Sequence, residues 1–114
     1  MLQITPKHNI FIAIKPVDFR AGINSLAGYC RNFLALEPLA GHVFVFRNKN
    51  AKAIKILLYD SQGFWLCLKK MSFKKFNWWP NSKEAAQQLS VAQLNALIWN
   101  SPPLNDPTAW HPIN

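Results

Sequence analysis

Apolar positions along the chain fall into two periods. Between residues 42 and 70 lie three runs of strand length, His42–Arg47, Ala53–Asp60 and Phe64–Lys70. They are rich in Val, Ile, Phe, Tyr and Trp, the residues that fit a pleated surface. The breaks between them, Asn48–Lys52 and Asp60–Gly63, are short and polar. Asp at the first and Gly at the last position of Asp60-Ser61-Gln62-Gly63 suit a four-residue turn. The pattern predicts a three-stranded antiparallel meander, with Phe76–Trp79 a candidate fourth strand. Upstream, Ile10–Lys15 reads as a further strand, ended by Pro16.

Helical periodicity occurs twice. Phe19, Ile23, Leu26, Cys30 and Phe33 recur at spacings of 4, 3, 4 and 3, widened by Ala27, Leu34 and Leu36. A helix over about 19–36 is expected, capped by Asp18 and stopped before Pro38. Gly22 and Gly28 each cost such a helix about 1 kcal/mol against Ala, so a close approach of helix to sheet is expected there. A second helix is expected to start near Ser82 or Ser90; Ser90 followed by Val91, Leu94, Leu97 and Ile98 gives a cap and a helical stripe. Residues 83–89 read equally as a turn or a loop. The fold class is α+β: an antiparallel sheet of three to five strands with one long and one shorter helix packed on one face. Residues 1–100 form a single domain, and 101–114, with four prolines, a Pro-rich C-terminal tail that is either an extended strap or a flexible end.

Charge coincides with the sheet. Residues 42–79 hold eight basic residues against one acid, a net +7 of the chain's +8. Such an excess argues for a polyanionic partner. The candidate phosphate contacts are Arg47, Lys49, Lys52, Lys55, Lys69, Lys70, Lys74 and Lys75. Should the two basic connections lie at opposite ends of the meander, Arg47 and Lys55 would have to bridge them along an exposed face. The competing reading is a solvated surface that only aids solubility. Trp65, Trp78 and Trp79 stand beside lysines and could stack on unpaired bases. Packing in the core is expected for two of the three. Trp78 and Trp79 are consecutive, face opposite ways on a strand, and at least one is expected to be exposed. Asp18 and Arg20 read either as a polar contact site at the helix start or as a cap with an ion pair.

Other chemistry is thin. Cys30 and Cys67 each sit in an apolar pattern without metal-ligand spacing, and are expected as buried reduced thiols. His8, His42 and His111 are scattered, so no metal and no cofactor is expected. The acids Asp18, Glu37, Asp60, Glu84 and Asp106 are too dispersed for a two-metal site, and no phosphate loop is present, so no enzyme is expected. No apolar run approaches the roughly 20 residues of a membrane span, and Met1–Pro6 has no signal-peptide pattern. A cytoplasmic location without membrane contact follows as the expectation. Oligomeric state stays open, although an uncovered edge strand invites pairing.

One ordered set of residues carries a family resemblance. It comprises Asp18-Phe19-Arg20-Ala21-Gly22, Gly41–Asn48, Lys55-Ile56-Leu57, Tyr59-Asp60 with Gly63-Phe64, Lys69-Lys70 and Trp79-Pro80. Over roughly residues 4–98 the chain resembles the TnpB accessory proteins of the insertion-sequence sixty-six family of bacterial transposable elements. It differs from their pattern at the hairpin tip, which is poorer in arginine, and at Tyr59, where tryptophan is usual. The resemblance implies an accessory protein for DNA transposition, non-catalytic and DNA-binding, acting with a separate DDE-type transposase of the same element. The DNA would be the element's ends or non-specific. The alternative is a protein–protein adaptor that docks on the transposase without binding DNA itself.

Overall fold

The structure, a computed structural model, describes Ile4, residues 8–101 and the backbone of residues 110–112. The described elements run β1 (Ile10–Ala13), α1 (Ile23–Tyr29), β2 (Val43–Arg47), β3 (Ala53–Tyr59), β4 (Phe64–Lys70), β5 (Trp78–Pro80), β6 (Ala86–Leu89), α2 (Val91–Ile98) and β7 (Trp110–Pro112). A π-type turn, Cys30–Leu34, prolongs α1, and a 3-10 turn, Pro38–Ala40, leads into β2.

Five strands form one sheet in the order β4-β3-β2-β1-β6. The three strands form the expected antiparallel meander, with Val45 opposite Ile56 and Ile56 opposite Cys67. The sheet is nevertheless mixed, not antiparallel as expected. β1 runs parallel to β2, Ile12 facing Val45, because the intervening helix returns the chain to the end from which β1 started. Residues 86–89 are neither turn nor loop. They pair antiparallel with β1, Ile12 facing Gln87, and Ile14 N–H donates to the Ala85 carbonyl at 3.0 Å. β5 does not join the main sheet; it pairs with β7, Trp79 facing His111. Apart from Ser101 and β7, the expected tail lies outside the described residues.

The sheet is covered on both faces. Ile10, Ile12, Val43, Val45, Ile54, Ile56 and Leu58 pack with Leu94 and Leu97 of α2. Ala13, Phe44, Phe46 and Leu57 pack with Leu26 of α1 and with Cys30 and Leu34 of its π-type turn. The two helices therefore lie against opposite faces, which corrects the expectation of one face. β2 shows why: all of Val43–Phe46 is buried, and a strand apolar at successive positions needs cover on both sides. Cys30 and Cys67 are free thiols on these opposite sides, Cys30 buried and Cys67 half-buried. Burial pushes the Cys30 thiol up to about 12. No helix among the described residues is long and apolar enough to cross a membrane.

The first helix is shorter than its stripe. Its N-cap is Gly22, in an extended conformation, and Asp18 does not cap it. The π-type turn widens the helix at its end. Leu34 then reaches the core, while Phe33, expected on the buried stripe, is exposed and stacks on Tyr29 with centroids 5.0 Å apart. The expected close approach at the glycines is absent, since a Cβ at Gly22 or Gly28 would meet nothing within 4 Å. The second helix matches its signal. Ser90 Oγ accepts from Gln93 N–H at 3.0 Å, and Gln93 Oε1 accepts from Ser90 N–H at 2.9 Å, which is a capping box.

Glycine and alanine are thus interchanged relative to local preference around α1. Gly28 lies inside the helix with open space at its Cβ, whereas exposed Ala35 terminates the π-type turn in the left-handed region at φ 55°. Gly28→Ala is expected to stabilise by about 0.5–1 kcal/mol, and Ala35→Gly by a similar amount. Thermal melting followed by circular dichroism checks both; each variant should melt several degrees higher.

Candidate nucleic-acid interface

In a meander, the first and third connections return to the same end of the sheet. The β2–β3 hairpin tip and the chain leaving β4 meet accordingly. Met71 N–H donates to the Lys52 carbonyl at 2.7 Å, and Phe76 N–H to the Ala51 carbonyl at 2.8 Å. The β1–α1 loop joins them, Val17 N–H donating to the Arg47 carbonyl at 2.9 Å. The C-terminus of α2 arrives there too, with Asn100 Oδ1 accepting from Asn77 N–H at 2.8 Å. Asn48 organises the tip: its Oδ1 accepts from the N–H groups of Lys52 and Ala53 at 3.0 and 3.2 Å. Between the tip and Pro16–Phe19 opens a cleft of ≈ 850 Å³.

The eight residues expected to contact phosphate divide into two groups. Lys49, Lys52, Lys70 and Lys74 are exposed and Lys75 half-buried, all at this end of the sheet. Exposed Lys15 and Lys83 stand at the same end, next to Ile14 and Ala85, which hydrogen-bond each other. Reading the charge only within 42–79 missed these two. The remaining three are part of the fold. Lys55 Nζ crosses to the α1 side and donates to the carbonyls of Phe19 and Ala21 at 2.9 and 3.0 Å, over the Phe19 ring. Lys69 Nζ donates to the Ile98 carbonyl at the end of α2 and lies 5.1 Å from the Trp99 ring centroid. There it also faces the negative end of the helix. Arg47 covers the Trp79 ring at 5.8 Å, and its Nη1 donates to the carbonyls of Asn48 and Lys49, both at 3.3 Å. Desolvation lowers its pKa, and its buried Nε has no hydrogen-bond partner. Because both basic connections share one end, no bridge through Arg47 and Lys55 is needed.

Two of the three indoles lie in the core as expected, but the exposed one is neither Trp78 nor Trp79. Trp78 and Trp79 are both buried, at 6% and 3% exposure. β5 lies over the α2-side core rather than in a sheet with one wet face, so both rings join that core. Trp79 Nε1 donates to the Ala13 carbonyl at 2.9 Å, and Trp78 Nε1 to the Ser101 carbonyl. Of the three, Trp65 is the exposed one, held by Asp60 Oδ2 at 2.7 Å. Two other exposed rings were not singled out from the sequence, Phe73 in the β4–β5 connection and Trp99 after α2. Phe73 precedes Lys74, which is the signal that would have found it, whereas Trp99 meets a basic residue, Lys69, only through the fold.

Each described carboxylate except Glu84 has a local structural partner. Asp18 is held by Arg20, with Nη2 to Oδ2 at 2.6 Å. Glu37 pairs with Arg31 at 3.0 Å and accepts from Leu39 N–H. Asp60 Oδ1 accepts from the N–H groups of Gln62 and Gly63, both at 3.0 Å, as a turn residue does. The two ion pairs among the described residues thus use arginines and leave the lysine charge of the basic end unneutralised.

A family model described as IS66 Orf2 like protein matches residues 8–102. Two uncharacterized proteins of Sinorhizobium fredii are similar to the chain. Protein y4hO is 34% identical over 106 residues, covering 90% of this chain and 91% of that protein. Protein y4jC is 33% identical over 89 residues, covering 78% and 75%. No solved structure matches.

The Asp18–Arg20 pair has a titration consequence. The Arg20 guanidinium and N–H, hydrogen-bonded to the carboxylate, lower the Asp18 pKa from 3.8 to about 2. The folded-state value lies below the unfolded one, so the contribution is complete above pH 3.8 and is lost as pH falls towards about 2. Carbon-13 NMR titration of the Asp18 carboxyl should give a midpoint near 2, and Arg20→Ala should return it towards 3.8. Lys55→Met leaves the Phe19 and Ala21 carbonyls without their charged donor. A loss of about 1–3 kcal/mol is expected in urea unfolding.

Proposed function

Since the chain belongs to the IS66 Orf2-like family of insertion-sequence accessory proteins, we propose that it is a non-catalytic DNA-binding protein acting in the cytoplasm with the separate transposase of its element. The contact surface is the basic end of the sheet, where Lys49, Lys52, Lys70, Lys74 and Lys75 supply charge to phosphates, joined by Lys15 and Lys83. The observation that carries this reading is the meeting of two lysine-bearing connections, tied by the Met71–Lys52 and Phe76–Ala51 hydrogen bonds. Lysines at the end of the sheet suit backbone contact: they neutralise charge and release counterions without reading bases. Lys55, Lys69 and Arg47 hold the surface in shape and do not leave it. The described carboxylates are spread over both ends of the sheet, Asp18 at one and Asp60 at the other, which suits a role without chemistry.

Fluorescence anisotropy of a labelled duplex carrying the element's terminal repeat, titrated across a salt series, tests the proposal. A steep salt slope is expected. Lys49→Ala, Lys52→Ala and Lys74→Ala should each flatten it by about one unit per lost phosphate contact, while Lys55→Met should lower stability and leave the slope unchanged. Equal affinity for a scrambled duplex would mean backbone-directed binding, and preference for the repeat would mean recognition of the ends. Salt-independent binding would overturn the proposal. So would an absence of binding at low salt, and co-purification with the transposase that survives nuclease would then identify an adaptor.

A further inference from the structure

The main sheet ends at β4 on one side and β6 on the other. β6 is four residues long and polar in part, Ala86-Gln87-Gln88-Leu89. β4 is seven residues of Phe64-Trp65-Leu66-Cys67-Leu68-Lys69-Lys70. Its unpaired groups can be identified. Met71 N–H points at β3, donating to Lys52, and the Gly63 carbonyl points the same way, accepting from Asp60 N–H. The β3–β4 register between them is unbroken. Backbone groups of an antiparallel ladder alternate in direction residue by residue. Trp65, Cys67 and Lys69 therefore address β3, and Phe64, Leu66, Leu68 and Lys70 direct their N–H and C=O away from the sheet. No hydrogen bond among the described residues occupies those outward groups. The edge also carries exposed apolar side chains, Leu68 at 61% and Trp65 at 43%.

We propose that β4 is the dimerisation edge of this protein: two copies pair their β4 strands antiparallel about a two-fold axis at Cys67, making one sheet of ten strands from two of five. The strand is self-complementary in that register. Leu66 of each copy faces Leu68 of the other through outward hydrogen-bonding groups. Trp65 faces Lys69, and Phe64 faces Lys70, so no lysine stands opposite another lysine. Cys67 faces its own copy in a non-hydrogen-bonded pair, where Cα atoms stand roughly 4.5 Å apart. Lysines commonly guard an edge strand against pairing. Here Lys69 is turned back onto the Ile98 carbonyl, and Lys70 stands at the last position of the strand. Antiparallel pairing also keeps charge apart. The basic end lies at the carboxyl end of β4 in each copy, and the two ends point in opposite directions. This inference stands on the edge geometry and does not depend on what the basic end binds.

Light scattering after size exclusion of the full reduced chain, across the micromolar range, tests it. A mass of twice 13.1 kDa is expected. Leu68→Pro removes an outward N–H without touching the β3 ladder, and Leu68→Lys places a third charge on the edge; each should halve the mass while circular dichroism stays that of the folded protein. Copper-phenanthroline oxidation, in which two thiols give up two protons and pass two electrons to copper, should trap a disulfide-linked dimer through Cys67. Cys67→Ser should abolish the link, because Cys30 is fully buried on the other face. A monomer throughout, a dimer that survives both Leu68 variants, or a dimer without the Cys67 link would overturn the proposal.

Discussion

Val43–Phe46 is apolar at every position and buried at every position, and covering both of its sides is the constraint on which the fold depends. Phe44 and Phe46 face the α1 side, and Val43 and Val45 the α2 side. Burying each such side chain contributes about 1.5–3 kcal/mol, so leaving either face open would forfeit a large share of a small domain's stability. The helix after β1 covers one face and returns the chain parallel to β1. The helix after β6 covers the other. The indoles of β5 complete the second face, and Trp79 reaches across it to the Ala13 carbonyl.

That double cover determines which basic residues are free. Lys55 projects towards the α1 face, where the chain entering the helix leaves two carbonyls without helical partners, and its ammonium takes both. Lys69 does the same for the end of α2 on the other face. Arg47 lies along the Trp79 ring, with its stem and part of its guanidinium out of water. Lys55, Lys69 and the arginine are thus mortar between layers. The loop lysines, which meet no carbonyl or carboxylate among the described residues, keep their charge in solvent. The surface offered to a polyanion is built from connections, on a sheet end held rigid from behind.

The same arrangement leaves β4 partly bare. Each helix lies over the middle of the sheet, and the edge strand keeps alternate burial, with Leu68 largely in solvent. A protein with its basic end at one pole of β4 and an unpaired edge along it presents two distinct surfaces, one electrostatic and one of main-chain groups.

Local physics in the sequence determined the meander, its turns, the Ser90 capping box and the burial of most strand residues, because each depends on neighbours within a few positions. It also held a signal for cover on both faces, the unbroken apolar run of β2, although the expected fold placed both helices on one. β6 carried no such signal: Ala-Gln-Gln-Leu becomes a strand only because β1 offers it a ladder. Charge pattern alone located the basic segment but not the fate of each residue in it. Whether a lysine meets solvent or a carbonyl depends on which face it leaves and on what lies opposite, as Lys55 and Phe19, 36 positions apart, illustrate. Distances of that kind are decided only when the chain closes on itself, and tertiary structure alone separated the lysines that build the surface from those that present it.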